Sequence, residues 1–554
     1  MLNVRKEHIH QTPPVGFIIT ALRLVQEDQM RDETIRKKFI RWTEERTQFA
    51  LSSFFAEADD PRGHQHILNE ILPLLSECGC EMVKREGDLI IRWKEQSPCI
   101  PADIPEIRKV ESPIQTAIES FITAKTGKPW SDPATLERIR EAVVAQKDTY
   151  WKEGDERIIR YTSGYSIFAY LAYHFPVYYI QMRHLIRELM NDGLLPQRMA
   201  VLDVGSGPGT VTLALASLLN DIPGCRATVH SIEQAGEFIE AYRQIAVPFA
   251  EKGRRVTALP PLATDITDPK SPLHEGPYDL IVCANVLNEI HDITIREETV
   301  MRLASRLREN GTLLICEPAD LANATTLRDL SRRLKKRGLS IYAPCNDIRG
   351  VPCMVERCWS FITLPEMAPT RLMNAVAAGD ESFRFYNTDI KTAFAIHRKD
   401  GKKRVSYRVP PGTKAERISR LSRHEEKKIN IIASKISENI GDSGTFLYRI
   451  CDGTGKREAY AALPAYHITE ENAILRQAAY GSVLRFNRVL VRHHKKYDAY
   501  HLLLTKESTV ELIEGELPEG EPAPVREARR ETKKAVKRRR EESTKAKGKK
   551  TSRR

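Results

Sequence analysis

Val201-Leu202-Asp203-Val204-Gly205-Ser206-Gly207-Pro208-Gly209-Thr210 reads as a buried strand that runs into a glycine-rich turn and leaves it as a helix. The apolar run before Asp203 suits a strand covered on both faces. The glycines let backbone approach a ligand that side chains would hold away. Asp203 sets a carboxylate at the lip of the turn. Dinucleotide-binding folds use a similar turn, so the neighbouring sequence has to decide.

That sequence repeats the pattern in order. Ala227-Thr228-Val229-His230-Ser231-Ile232-Glu233 is a second strand ending in an acid, and Pro260 to Asp265 supplies a third strand-and-acid pair. Tyr278-Asp279-Leu280-Ile281-Val282-Cys283-Ala284-Asn285 and Gly311-Thr312-Leu313-Leu314-Ile315-Cys316-Glu317-Pro318 fit the fourth and fifth strands. Strands and helices alternate from 198 to about 340, which predicts an α/β, doubly wound, Rossmann-like core. The G-x-G-x-G turn behind an acid resembles the first motif of class I S-adenosylmethionine-dependent methyltransferases. The resemblance implies S-adenosylmethionine as cofactor. Asp203, Gly205, Gly207 and Gly209 would hold its amino-acid half, Glu233 its ribose hydroxyls and Asp265 its adenine, with Asn285 at the end of the fourth strand.

The sequence offers no clear catalytic residue and leaves enzymatic activity open. Amino-methylating enzymes of this fold carry an Asn/Asp-Pro-Pro-aromatic motif after the fourth strand. Ala284-Asn285-Val286-Leu287-Asn288-Glu289-Ile290 stands here instead. Pro344-Cys345 and Pro352-Cys353 look superficially like the Pro-Cys of cytosine C5 methylation, but they lie well after the fourth strand.

Their clustering favours metal ligation over a nucleophile. Cys345, Cys353 and Cys358 fall within fourteen residues, and Cys451 follows beside the turn-forming run Asp452-Gly453-Thr454-Gly455. Four thiolates suit a [4Fe–4S] cluster or a structural zinc. Cys283 and Cys316 sit in strand-like runs, and Cys78 and Cys80 read as semi-buried. Ten cysteines behind an N-terminus without a signal peptide argue against a disulfide framework.

The 554 residues are enough for three or four domains. Residues 1–150 read as mostly helical, with Ile18 to Phe54 at helical spacing. A hairpin over Glu81–Trp93 turns near Gly87-Asp88, and helices followed by a hairpin suit a winged-helix module. Residues 151–340 form the Rossmann domain, 341–362 the cysteine loop, and 363–515 a β-rich C-terminal domain. That last domain is expected to open with a strand at Ser382–Tyr386. Its alternating Phe, Tyr and Arg read first as two-sided strand packing and second as an RNA-binding surface. From Tyr161 to Leu189 an aromatic-rich helical stretch, broken at Pro176, reads as core.

Residues 516–554 form a tail expected to be disordered. From Ala523 to Arg554 it carries 15 Lys/Arg against 4 Asp/Glu, nearly all of the chain's net charge of +12. A phosphate-binding arm and a solubility tail both fit. The linker from Lys399 to Lys428 is also basic. No apolar run approaches the ~20 residues of a membrane span, so a cytoplasmic chain with no membrane partner is expected.

Together these segments resemble a family of methyltransferase-like proteins of the small ribosomal subunit. It includes the mitochondrial Rsm-type protein and methyltransferase-like protein seventeen, with bacterial and archaeal relatives. The similarity runs from about Tyr161 to about Gly455 and is strongest at Ala343-Pro344-Cys345, Pro352-Cys353, Cys358 and Cys451-Asp452-Gly453. It implies a [4Fe–4S] cluster on Cys345, Cys353, Cys358 and Cys451, and a role in small-subunit assembly with rRNA as partner. An active rRNA methyltransferase is the alternative. The chain departs from the family at Cys345-Asn346-Asp347 and Arg357-Cys358-Trp359, where histidines are often found; four thiols remain. A monomer is expected.

Overall fold

A computed structural model of the chain describes residues 30–43, 45–46, 48–85, 87–94, 98–99, 104–150, 164–222, 224–378 and 382–517. The basic tail and the first 29 residues lie outside the described residues. The chain divides into two units, Met1–Ser97 and Pro98–Arg554.

In the first unit a helix over 30–43 (α1) is followed by β1 (Gln48–Ala50), α2 (Leu51–Ala58), α3 (His64–Glu77), β2 (Cys80–Arg85) and β3 (Asp88–Trp93). Gly87, at φ +91°, turns β2 into β3, where the sequence sets the hairpin. β1 adds to β3, giving the order β1-β3-β2. Phe39, Trp42, Phe49 and Phe54 pack at ring distances of 5.0–6.0 Å beneath this sheet. The stretch up to Phe54 is therefore helix, strand and helix, because Phe49 is needed in the sheet. Helix-strand-helix-helix-strand-strand is the element order of a winged helix.

The second unit begins with α4 (Ser112–Thr126), α5 (Pro133–Tyr150), α6 (Tyr165–Tyr173) and α7 (Phe175–Asn191). Pro176 sits in the first turn of α7, where its missing N–H costs nothing. The sheet follows: β4 (Arg198–Val204), α8 (Thr210–Asn220), β5 (Arg226–Glu233), α9 (Gly236–Ala241), α10 (Val247–Gly253), β6 (Val256–Ala258), β7 (Leu262–Ala263) and β8 (Tyr278–Ala284). Then come α11 (Ile293–Ala304), β9 (Leu307–Pro318), α12 (Leu321–Lys336), β10 (Ser340–Ala343), β11 (Ile362–Leu364), α13 (Arg371–Ala377) and β12 (Ile390–Arg398).

The strand order is β10-β12-β9-β8-β4-β5-β6. Pairing is parallel from β9 to β6, and β12 enters antiparallel between β9 and β10. This is the class I S-adenosylmethionine-dependent methyltransferase fold. Its order reverses between β4 and β8, the switch point where such sheets bind ligands. The glycine-rich turn leaves β4 there.

The sheet draws strands from as far as Arg398, past the boundary at 340 set from the sequence. The apolar run Ala393–Ile396 is buried on both faces and belongs to this sheet. Ser382–Arg384 is a short 3-10 turn rather than the expected strand. Cys99 and Cys225 form one buried disulfide, where the sequence argued against a disulfide framework. Composition speaks to compartment and cannot reveal a single pair 126 residues apart in sequence.

A barrel completes the unit: β13 (Lys428–Lys435), β14 (Thr445–Cys451), β15 (Ala459–Pro464), α14 (Ile474–Gln477), β16 (Val483–His494), β17 (Ala499–Leu503) and β18 (Thr509–Glu514). The order is β13-β14-β15-β17-β16-β18, and β13 also pairs with β16, which closes it. Phe446, Tyr448, Ile450, Leu484 and Phe486 fill its interior. The aromatics of the Phe/Tyr/Arg alternation therefore mostly face inward. Among the described residues, no helix is long and apolar enough to cross a membrane.

Candidate functional site

The carboxyl edge of the sheet gathers the predicted cofactor residues. Gly205, Gly207 and Gly209 all have left-handed backbones, at φ +66°, +54° and +95°. A Cβ on Gly205 would lie 2.6 Å from Val286 Cγ2, and one on Gly209 would lie 2.4 Å from Ala246 Cβ. Both glycines are demanded by packing. At Gly207 a Cβ would meet only the Tyr170 hydroxyl, at 3.8 Å, so this glycine borders open space.

Asp203 is 1% exposed, and neither of its carboxylate oxygens has a hydrogen-bond partner. Burial, with Glu233 adding to it, holds its pKa well above the ordinary carboxylate range. A buried carboxylate without a donor calls for one that the protein does not supply. The buried Ser206 hydroxyl is likewise unpartnered. Glu233 ends β5, accepting from Gly207 N and Ala235 N, both at 2.9 Å. Those bonds fix the carboxylate against the turn and leave it lone pairs for a ligand.

Asp265 lies two residues beyond β7, which runs parallel to the end of β5. It is exposed, and its carboxylate accepts from Thr267 N and Thr267 Oγ1 at 2.8 Å. Asn285 follows β8 with a left-handed backbone, φ +55°, and donates its N–H to Cys316 O at 2.8 Å. Backbone strain of this kind concentrates at functional sites.

Two residues at this edge escaped the sequence reading. Tyr170 of α6 roofs the turn, with Asp203, Glu233 and Glu289 near enough to act on its phenol. Its helical spacing matches core packing, so only its place three-dimensionally opposite Gly207 reveals it. Glu317 ends β9 and is 2% exposed. Burial pushes its pKa up to about 8, opposed by Arg296 and reinforced by Glu289. The Glu-Pro ending of the fifth strand was its signal.

The predicted cysteines lie at the junction of Rossmann domain and barrel. Cys345 and Cys358 come from the segment after β10, and Cys451 ends β14. The Met354 N–H donates to Gly453 O at 3.0 Å, joining the Cys353 loop to the Cys451 turn. Burial pushes the Cys345 thiol up to about 11, with Cys358 and Cys353 reinforcing and Arg328 and Arg332 opposing. Burial likewise raises Cys451 well above its usual value, Cys358 and Cys353 adding to it. Cys353 and Cys358 thus lie near enough to act on both Cys345 and Cys451.

Cations surround them. Arg328 is 2% exposed, and its Nε and Nη1 have no hydrogen-bond partner. Arg332 Nη1 donates to Val355 O at 2.8 Å and lies 4.0 Å from Cys353 Sγ. Arg449 Nη1 donates to Trp359 O beside Cys358. Buried arginine N–H groups with no acceptor fit an anionic centre. Among the described residues, no three of the four sulfurs lie within 4.8 Å of one another. Four thiols beside buried arginines have the donor chemistry of a thiolate metal site, whether cluster or zinc.

The basic linker forms a groove of about 780 Å³ lined by Arg349, Lys414, Arg417, Arg420, His424 and Lys428, with Glu416 as its acid. Lys414, Arg417 and Arg420 are exposed there.

Residues 195–378 match a family model described as a methyltransferase domain. Residues 419–513 match the C-terminal domain of a domain of unknown function, DUF8157. No curated protein matches the sequence. Among solved structures, an S-adenosylmethionine-dependent methyltransferase from Clostridium acetobutylicum is 17% identical with a TM-score of 0.21. That match covers 26% of this chain and 51% of the other, about half the length of that protein. Magnesium protoporphyrin IX methyltransferase from Synechocystis, with bound SAH, is 16% identical over 51% of this chain and 98% of its own, TM-score 0.27. A TehB-like methyltransferase from Corynebacterium glutamicum is 18% identical over 29% and 73%, TM-score 0.22. The class is defined by the strand order and the matching domain model: a class I S-adenosylmethionine-dependent methyltransferase fold.

Proposed function

We propose that this chain is a small ribosomal subunit assembly factor that binds rRNA, carries S-adenosylmethionine on its methyltransferase edge and holds a [4Fe–4S] cluster on Cys345, Cys353, Cys358 and Cys451. The nearness of Cys353 and Cys358 to both Cys345 and Cys451, beside unpartnered Arg328 N–H groups, carries the reading. The cluster would join the end of the Rossmann domain to β14, so that metal binding contributes to folding. The groove around Arg417 and Arg420 supports a phosphate-rich partner.

At the sheet edge, Asp203 would accept from the amino group of S-adenosylmethionine, and Glu233 from its ribose hydroxyls. The Gly207 backbone would lie against it, under Tyr170. When bound, the cofactor supplies an electrophilic methyl group. The unpartnered Asp203 carboxylate favours a loaded site and hence a second reading, an active rRNA methyltransferase.

The test is iron, acid-labile sulfide and zinc content after anaerobic purification, beside Cys353→Ser. About four irons and four sulfides per chain, lost in the variant, are expected for this cluster type. Stoichiometric zinc would replace the cluster with a structural ion. Neither metal would sink the reading. Transfer of labelled methyl to purified small subunits separates the second reading from the first.

A further inference from the structure

Five strands of the C-terminal barrel follow a specific order. β13 pairs with β14 and β16, β14 with β15, β15 with β17 in parallel, and β17 with β16. The α14 turn lies between the third and fourth strands. Numbered from β13, this is the 1-2-3-5-4-1 barrel of oligonucleotide- and oligosaccharide-binding domains. A fold does not define a ligand, so the surface has to.

Along β15 and β17, Ala459, Ala461, Tyr500 and Leu502 fill the interior. Strand alternation therefore turns Tyr460 and His501 outward, and these two are register partners. Their rings are 5.5 Å apart. His501 lies 5.0 Å from His494 of β16, and His494 stacks on Tyr497 at 4.8 Å and 27°. Four rings thus form one continuous row, from the strands into the loop joining β16 to β17. Tyr497 is 66% exposed. Arg492, Lys495 and Lys496 are exposed beside it, and Lys496 Nζ lies 5.4 Å from the Tyr497 ring centroid. Burial lowers the His501 pKa, which keeps that ring neutral and able to stack.

We infer that Tyr460, His501, His494 and Tyr497 form a stacking platform for the bases of single-stranded nucleic acid, with Arg492, Lys495 and Lys496 on its phosphates. Rings spaced along a basic strand surface suit unpaired bases, whose faces a duplex hides. The choice of RNA over DNA rests on the function proposed above; the platform itself does not.

The experiment is fluorescence anisotropy of the full-length chain with a labelled 12-nucleotide single-stranded RNA, in about 0.2 M salt to suppress non-specific phosphate contacts. Tyr497→Ala and His501→Ala should each weaken binding at least about fivefold, the loss of one base stack, while Tyr497→Phe binds as wild type does. Lys495→Gln with Lys496→Gln should flatten the salt dependence. A duplex of the same sequence should not distinguish these variants. Unchanged single-strand affinity in Tyr497→Ala and His501→Ala, with wild-type circular dichroism and Tm, would overturn the inference. Binding to purified small subunits is measured in parallel. Ring-dependent RNA binding without subunit binding keeps the platform and removes the assembly reading. Subunit binding with ring-independent RNA binding does the reverse.

Discussion

The backbone N–H of Met354 donates to the carbonyl of Gly453 at 3.0 Å, so the residue after Cys353 is tied to the turn after Cys451. A change on either side is transmitted to the other. Cys451→Ser is expected to lose metal as completely as Cys353→Ser does. Its Tm should fall by several degrees, because energy of binding is also energy of folding. Metal analysis and calorimetry of the two variants check this, and an unchanged Cys451→Ser would remove the shared site.

The glycines of the turn should separate stability from ligand binding. Gly209→Ala drives a methyl into Ala246 from a left-handed backbone, and a loss of roughly 2–5 kcal/mol is expected. Gly207→Ala meets only the Tyr170 hydroxyl, so its stability cost is about 1–2 kcal/mol from backbone strain alone. Its methyl enters the space beside the turn, so S-adenosylmethionine affinity should drop more than tenfold. Denaturant unfolding and calorimetric titration of both variants test the contrast.

Glu317 predicts a pH dependence. Its folded pKa of about 8 lies above the ordinary carboxylate value of 4.5. Between those values the folded chain keeps a proton that the unfolded chain releases, so this group favours folding in acid and loses that contribution as pH rises through 8. Asp203, Glu233 and Asp279 shift in the same direction. Tm should fall from pH 5.5 to 8.5, and Glu317→Gln should remove part of the fall. A steeper slope in Glu317→Gln would contradict the assignment.

The Cys99–Cys225 bond spans 126 residues of sequence, and its loss is expected to cost about 4–5 kcal/mol on the chain-entropy account. Thiol titration of the denatured, metal-free chain should find eight free thiols without reductant and ten with it. Ten in both conditions would mean that the pair is not bonded.

Much of the Rossmann core was legible because strands buried on both faces announce themselves as apolar runs between glycine-rich turns. The β4 strand, its turn and the acids at 203 and 233 all sit at the carboxyl edge that their order implied. Tyr170 was not legible, since a helix that packs on one side and roofs a turn on the other carries the same periodicity as a buried one. The strand at Ile390–Arg398 was assigned away from its sheet because antiparallel insertion between β9 and β10 is a tertiary event. Likewise, nothing near Tyr460 hints that His501 stands beside it. A parallel pairing across the intervening helix and strand brings them together.

The placement of Cys451 on β14 also orders events in time. Cys358 and Cys451 are separated by 93 residues of chain. At ~5–20 residues per second, three thiols leave the ribosome roughly 5–20 s before the fourth. During that interval the strand that carries the fourth thiol of the proposed site has yet to be made. On the proposed function, loading of the junction would therefore wait for Cys451 to emerge, and a chain starved of metal is expected to keep its barrel folded and its junction open.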